Sequence, residues 1–166
     1  SILDESPVVE ENISGKEVEF DGMECKNVGF AYDKEQILEN FNMEIPKNKI
    51  IAINGPSGSG KSTALKLMMR FWDVNSGEID MSGENIKNIK TSSLRNNQSL
   101  VSQETQLFND TIENNIKIAD YNATREKVEI AAKKASIHDF IMTLPKEYDT
   151  NVGELGDLLS DGEKQR

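Results

Sequence analysis

Eight consecutive residues, Gly55-Pro56-Ser57-Gly58-Ser59-Gly60-Lys61-Ser62, follow the spacing G-x4-G-K-[ST]. Glycines at these positions let successive backbone N–H groups turn inward without a Cβ clash, which makes a nest for an anion. A helix opening near Lys61 would point the positive end of its dipole at the same place. Lys61 would neutralise the β- and γ-phosphates of a nucleotide, and the Ser62 hydroxyl would ligate Mg²⁺. Thr63 follows in the same first turn and completes the candidate binding set.

Such a cradle needs a buried strand before it and a helix after it. Residues 49–54, Lys-Ile-Ile-Ala-Ile-Asn, are a short, nearly continuous apolar run, as expected of a strand covered on both faces. Ser62 to Phe71 carries Leu65, Met68 and Met69 at helical spacing. Upstream, Val18 to Ala31 interleaves β-branched and aromatic residues with polar ones and is interrupted at Gly22, which predicts two short strands and a turn. Ile37 to Ile45 alternates and stops at Pro46. Further strands are expected at 78–81 and 99–101. Helices are expected at 92–98, at 110–118 capped by Asp110 or Thr111, at 124–135 capped by Thr124, and at 138–144. The polar, acidic residues 1–17 have no clear period and are expected to be a linker.

Composition narrows the partners. Net charge is −10, the wrong sign for a nucleic-acid footprint. The sequence contains no apolar run of about 18 residues and no secretory leader pattern. Cys25 is the single cysteine, so no internal disulfide can form, which fits a reducing compartment. His138 is the single histidine and reads as a structural or surface residue.

With the cradle in place, the chain resembles the ATP-binding-cassette (ABC) ATPases, in particular exporter-type domains fused behind a transmembrane half. The likeness covers nearly all of residues 20–166. Tyr32, 23 residues before Gly55, matches the aromatic on which the family stacks adenine. Leu100-Val101-Ser102-Gln103 places Gln103 as the Q-loop glutamine, whose amide oxygen would ligate Mg²⁺ and help hold the attacking water. Residues 107–116 look like exporter sequence, and Thr150 to Gly156 resembles the exporters' X-loop, with Glu154 at the acidic position. Leu159-Ser160-Asp161-Gly162-Glu163 resembles the ABC signature, with Asp161 in place of a glycine and Glu163 in place of a glutamine.

The resemblance implies an α/β fold: a P-loop NTPase core, an N-terminal antiparallel β lobe drawn from residues 18–53, and a helical lobe over about 104–158. It implies ATP and Mg²⁺ as ligands and catalytic roles for Lys61 and Gln103. It implies a second nucleotide-binding domain whose ATP meets the signature. It also implies a transmembrane domain against the loops of Gln103 and Glu154, at the cytoplasmic face of a cell membrane. The family's Walker B aspartate, catalytic glutamate and switch histidine are not among these residues, so residues 18–166 read as a partial domain without ATPase activity of its own. Two alternatives stand beside the exporter engine: a regulatory half that holds ATP beside an active half, as the altered signature suggests, and a soluble ABC ATPase. The transported substrate is not written in this sequence.

Overall fold

Residues 9–102, 105–155 and 159–166 are described in the computed structural model. The chain divides into two compact units, with the division between Leu100 and Val101.

The first unit is built on a four-stranded antiparallel sheet. Its strands are β1 (Met23–Tyr32), β2 (Glu35–Ile45), β3 (Ser76–Met81) and β4 (Glu84–Asn85), in the order β2-β1-β3-β4. Strand alternation puts Met23, Cys25, Val28 and Phe30 into the core. An irregularity between Cys25 and Val28, with Asn27 at φ 47°, resets the alternation so that Val28 still points inward. Helix α1 (Lys61–Met68) packs its buried face, Ala64, Leu67 and Met68, into the same core, together with Ile79, Met81, Ile86, Ile89 and Leu94. The expected stripe of Leu65, Met68 and Met69 is thus rotated, and Leu65 is exposed.

Residues 18–22 do not form a separate strand. Their amides go to side chains of helix α2 (Thr91–Asn96) and the residue after it: Val18 N–H donates to Ser93 Oγ at 3.0 Å and Phe20 N–H to Asn97 Oδ1 at 3.1 Å. The segment before them is tied down in the same way. Asn12 N–H donates to Thr91 Oγ1 at 2.8 Å, and Lys16 exchanges backbone bonds with Asn88 and Lys90.

The strand expected at 49–54, covered on both faces, and the short strand expected at 99–101 do not form among the described residues. Both segments lack regular secondary structure and belong to no ladder among the described residues. Ile50 is 99% exposed and Val101 69%. An apolar run states what a strand needs around it; it does not supply the neighbours whose N–H and C=O groups must pair with it. The sheet is therefore completed by 76–85 rather than by 49–53.

The second unit is helical: α3 (Ile112–Ile116), α4 (Arg125–Lys134), α5 (His138–Met142), α6 (Val152–Leu155) and α7 (Asp161–Gln165). Thr111 caps α3 and Thr124 caps α4, each accepting from the amide three residues on. Val128, Ala132, Ile137, Ile141, Tyr148 and Leu159 form its core. A hollow of about 330 Å³ remains between this core and α7.

Candidate functional site

The glycine-rich turn of the first unit runs from residues 49–54 into α1. Gly58 and Gly60 both adopt left-handed backbone, at φ 80° and 84°. At Gly60 a Cβ would lie 2.7 Å from Leu38 Cδ2 and 3.2 Å from the Ile37 carbonyl oxygen, so the turn lies tight on β2. A Cβ at Gly55 would meet Ser59 Oγ at 2.8 Å. The position that caps α1 is Gly60, which has no side chain to accept from the first-turn amides. Those N–H groups are left for an external acceptor.

Lys61 bends back over this loop. Its ammonium donates to the carbonyl oxygens of Gly55 at 2.9 Å and Pro56 at 2.6 Å. Ser62 is exposed in the first turn, and Thr63 is half-buried beside it. The arrangement of glycine backbone, uncapped helix start, loop-bound cation and exposed hydroxyl fits a polyphosphate and its metal counter-ion in shape and in charge.

Tyr32 stands at the end of β1. It meets Phe30 edge-on, with centroids 4.8 Å apart, and Trp72 likewise at 5.4 Å. Sequence reasoning did not reach Trp72. Nothing in its local spacing marks it, because the contact depends on β3 returning antiparallel beside β1.

The remaining expected site residues lie in or next to the second unit. Gln103 is outside the described residues, as is Gly156, and Glu154 is placed only as backbone of α6. Leu159 is buried in the helical core. Ser160 caps α7 in a capping box: its N–H and hydroxyl both donate to Glu163 Oε2 at 2.7 Å, and Glu163 N–H donates to Ser160 Oγ at 3.3 Å. These bonds hold the Glu163 carboxyl below its ordinary range. The acidic replacement at 163 thus has a local account as the third helical residue of the box. Asp161 does not cap the helix. It is exposed in the first turn, where its charge suits the helix dipole, and Gly162 beside it is open to solvent.

Two other chemically able residues are accounted for structurally. Cys25 is buried, and burial, assisted by Glu24, pushes its thiol up to about 11, so it is core packing rather than a nucleophile. His138 Nδ1 lies 2.7 Å from the hydroxyl of Tyr148, which is 1% exposed, and satisfies it. Among the described residues no group of His, Cys, Asp and Glu could hold a metal ion by itself, and no helix is long and apolar enough to cross a membrane.

Fold and cradle together define a P-loop nucleotide-binding protein. The family model for ABC transporters matches residues 38–166, and the chain belongs to that family. It is 50% identical, over its whole length, to 30% of a probable ABC transporter ATP-binding/permease protein of Haemophilus influenzae. It is 43% identical, over 87% of its length, to 24% of an ATP-dependent lipid A-core flippase of Syntrophus aciditrophicus. A solved bacterial Atm1-family ABC exporter with ATP bound superposes with TM-score 0.88 at 40% identity, covering 98% of this chain and 29% of that one. The chain therefore spans about a third or less of the length of the relatives it matches, and its fold is that of an ABC ATPase.

Proposed function

We propose that this chain is the ATP-binding domain of a membrane exporter, which takes ATP with Mg²⁺ and couples its binding and hydrolysis to movement of a transmembrane partner. The observation that carries this reading is the cradle at 55–62 with Lys61 folded over it. The names of the relatives and the ATP-bound structural neighbour support it.

In this reading the Lys61 ammonium exchanges two carbonyl acceptors for phosphate oxygens. An anionic acceptor adds a Coulomb attraction that a neutral carbonyl lacks, so the exchange favours the bound state. The free amides of α1 add to the same charge neutralisation. Ser62 and Gln103 hold the metal ion, which when bound screens the phosphate charge, and Tyr32 stacks the adenine. Ser160 and the backbone at Gly162 face the nucleotide of a second copy or a partner domain. The loops of Gln103 and Glu154 meet the transmembrane part, at the cytoplasmic face of its membrane.

Titration calorimetry on the full-length protein carrying this chain tests the core of the proposal. Lys61→Ala should weaken Mg-ATP binding at least about tenfold, the cost of one charge-assisted contact, and leave adenosine nearly unchanged. Unaltered ATP affinity in Lys61→Ala would overturn it.

A further inference from the structure

A ring that stacks a base must offer one face at a fixed angle. Tyr32 stands where β1 gives way to the turn at Asp33, so strand pairing alone does little to fix its ring. Two other rings do so. Phe30, two residues earlier on the same face of the strand, is nearly perpendicular to it, at 88°. Trp72 is nearly perpendicular as well, at 87°, and closes the triangle at 6.3 Å from Phe30. Phe30 is buried core, whereas Trp72 is half-buried and arrives from a different element.

That element is the end of α1. Phe71 N–H donates to the Lys66 carbonyl and Arg70 N–H to that of Leu67, with Arg70 left-handed at φ 51°. These two bonds are a Schellman turn, which stops the helix and fixes the direction in which the chain leaves. Arg70 is buried and paired to Asp73 at 3.3 Å, and Arg95 caps the Met69 carbonyl. Two residues beyond Trp72, Val74 packs on the core. Asn75 then holds β1 directly: its N–H donates to the Gly29 carbonyl, and its side chain accepts from Ala31 N–H at 2.7 Å, one residue before Tyr32. Trp72 is thus gripped on both sides, and the helix that begins at the phosphate cradle ends by delivering a ring against the tyrosine.

We propose that Trp72 is a positioning residue for base recognition, holding the Tyr32 ring for adenine and fixing it relative to the phosphate-binding helix. This inference rests on the reading of Tyr32 as the stacking residue. Trp72 acts through Tyr32 and makes no contact with the base itself.

The test is a double-mutant cycle by calorimetry on the full-length protein, with Mg-ATP and Mg-tripolyphosphate as probes. Trp72→Ala should weaken ATP roughly 2- to 10-fold, the range of an edge-to-face aromatic pair, and leave tripolyphosphate unchanged. Trp72→Leu, which keeps apolar bulk for folding but removes the ring, should do the same. Trp72→Phe should restore affinity to within about twofold. In a Tyr32→Ala background, Trp72→Ala and Trp72→Leu should have no further effect. If Tyr32→Ala weakens ATP but the Trp72 substitutions add to it in full, Trp72 does not work through the tyrosine and this inference alone fails. Equal losses for ATP and tripolyphosphate would mark Trp72 as packing only, which also overturns it. No loss in Tyr32→Ala would overturn the stacking assignment and this inference with it.

Discussion

Gly60 carries two constraints at one position. Its φ of 84° costs an L-residue about 1–2 kcal/mol, and a Cβ there would overlap the Leu38 side chain and crowd the Ile37 carbonyl. The side chain can rotate, but the carbonyl moves only if β2 moves. Gly58 has nearly the same φ, yet nothing lies within 4 Å of where its Cβ would be. Gly58→Ala should therefore cost only the conformational part, and Gly60→Ala should cost more and also open the cradle. Thermal denaturation with ATP titration checks this: both variants should lose stability, and Gly60→Ala should lose markedly more ATP affinity. Equal behaviour of the two would mean that contact with β2 is not what shapes the loop. This part of the molecule was readable from residue types, since the G-x4-G-K-[ST] spacing specifies a backbone shape directly. The contact with Leu38 was not, because it depends on which strand lies beneath.

Helix α7 shows how much a short element leans on its first turn. It has five residues, too few to be stable by propagation, so its cap weighs heavily. Ser160→Ala should destabilise the helical unit by about 0.5–2 kcal/mol, read from the shift in a denaturant melt. Acidity should act on the same box. Glu163 has its carboxyl lowered by bonds from the Ser160 side chain and backbone. A depressed folded-state carboxyl contributes stability that is present above its unfolded value and is lost as pH falls through the folded one. The loss is thus expected below about 4.5, the ordinary glutamate value. Glu163→Gln keeps an acceptor oxygen that does not titrate and should flatten that part of the pH profile, and an unchanged acid limb would refute the box as its source. The cap at Thr124, and that at Thr111 as one of two candidates, were legible because a cap is a local bond between a side chain and an amide three residues on. The strands at 49–54 and 99–101 misled for the opposite reason. Their apolar pattern describes an environment, and the residues described here do not provide it.

At the scale of the whole molecule, each unit has its own core, and exposed large apolar residues are spread along the described chain from Ile13 to Met142. Among them, Ile50, Ile51, Leu100 and Val101 lie in the two segments that joined no ladder. Apolar segments whose backbone joins no ladder among the described residues are templates for pairing with another chain. The 166-residue chain alone should therefore associate as its concentration rises, and Ile50→Lys combined with Ile51→Thr should reduce this in sedimentation velocity without altering the helical unit. Association unaffected by that pair would locate the sticky surface elsewhere. The same unpaired segment also makes residues 50–53 a reversal of the usual rule for deuterium uptake. They are among the most apolar residues of the chain, yet their amides lie outside every ladder of the described residues, while those of β1, flanked on both sides, are shielded. An isotope-labelling map of this chain would thus run opposite to its hydropathy at this point, and slowed uptake at 50–53 would report directly that a neighbouring strand had arrived.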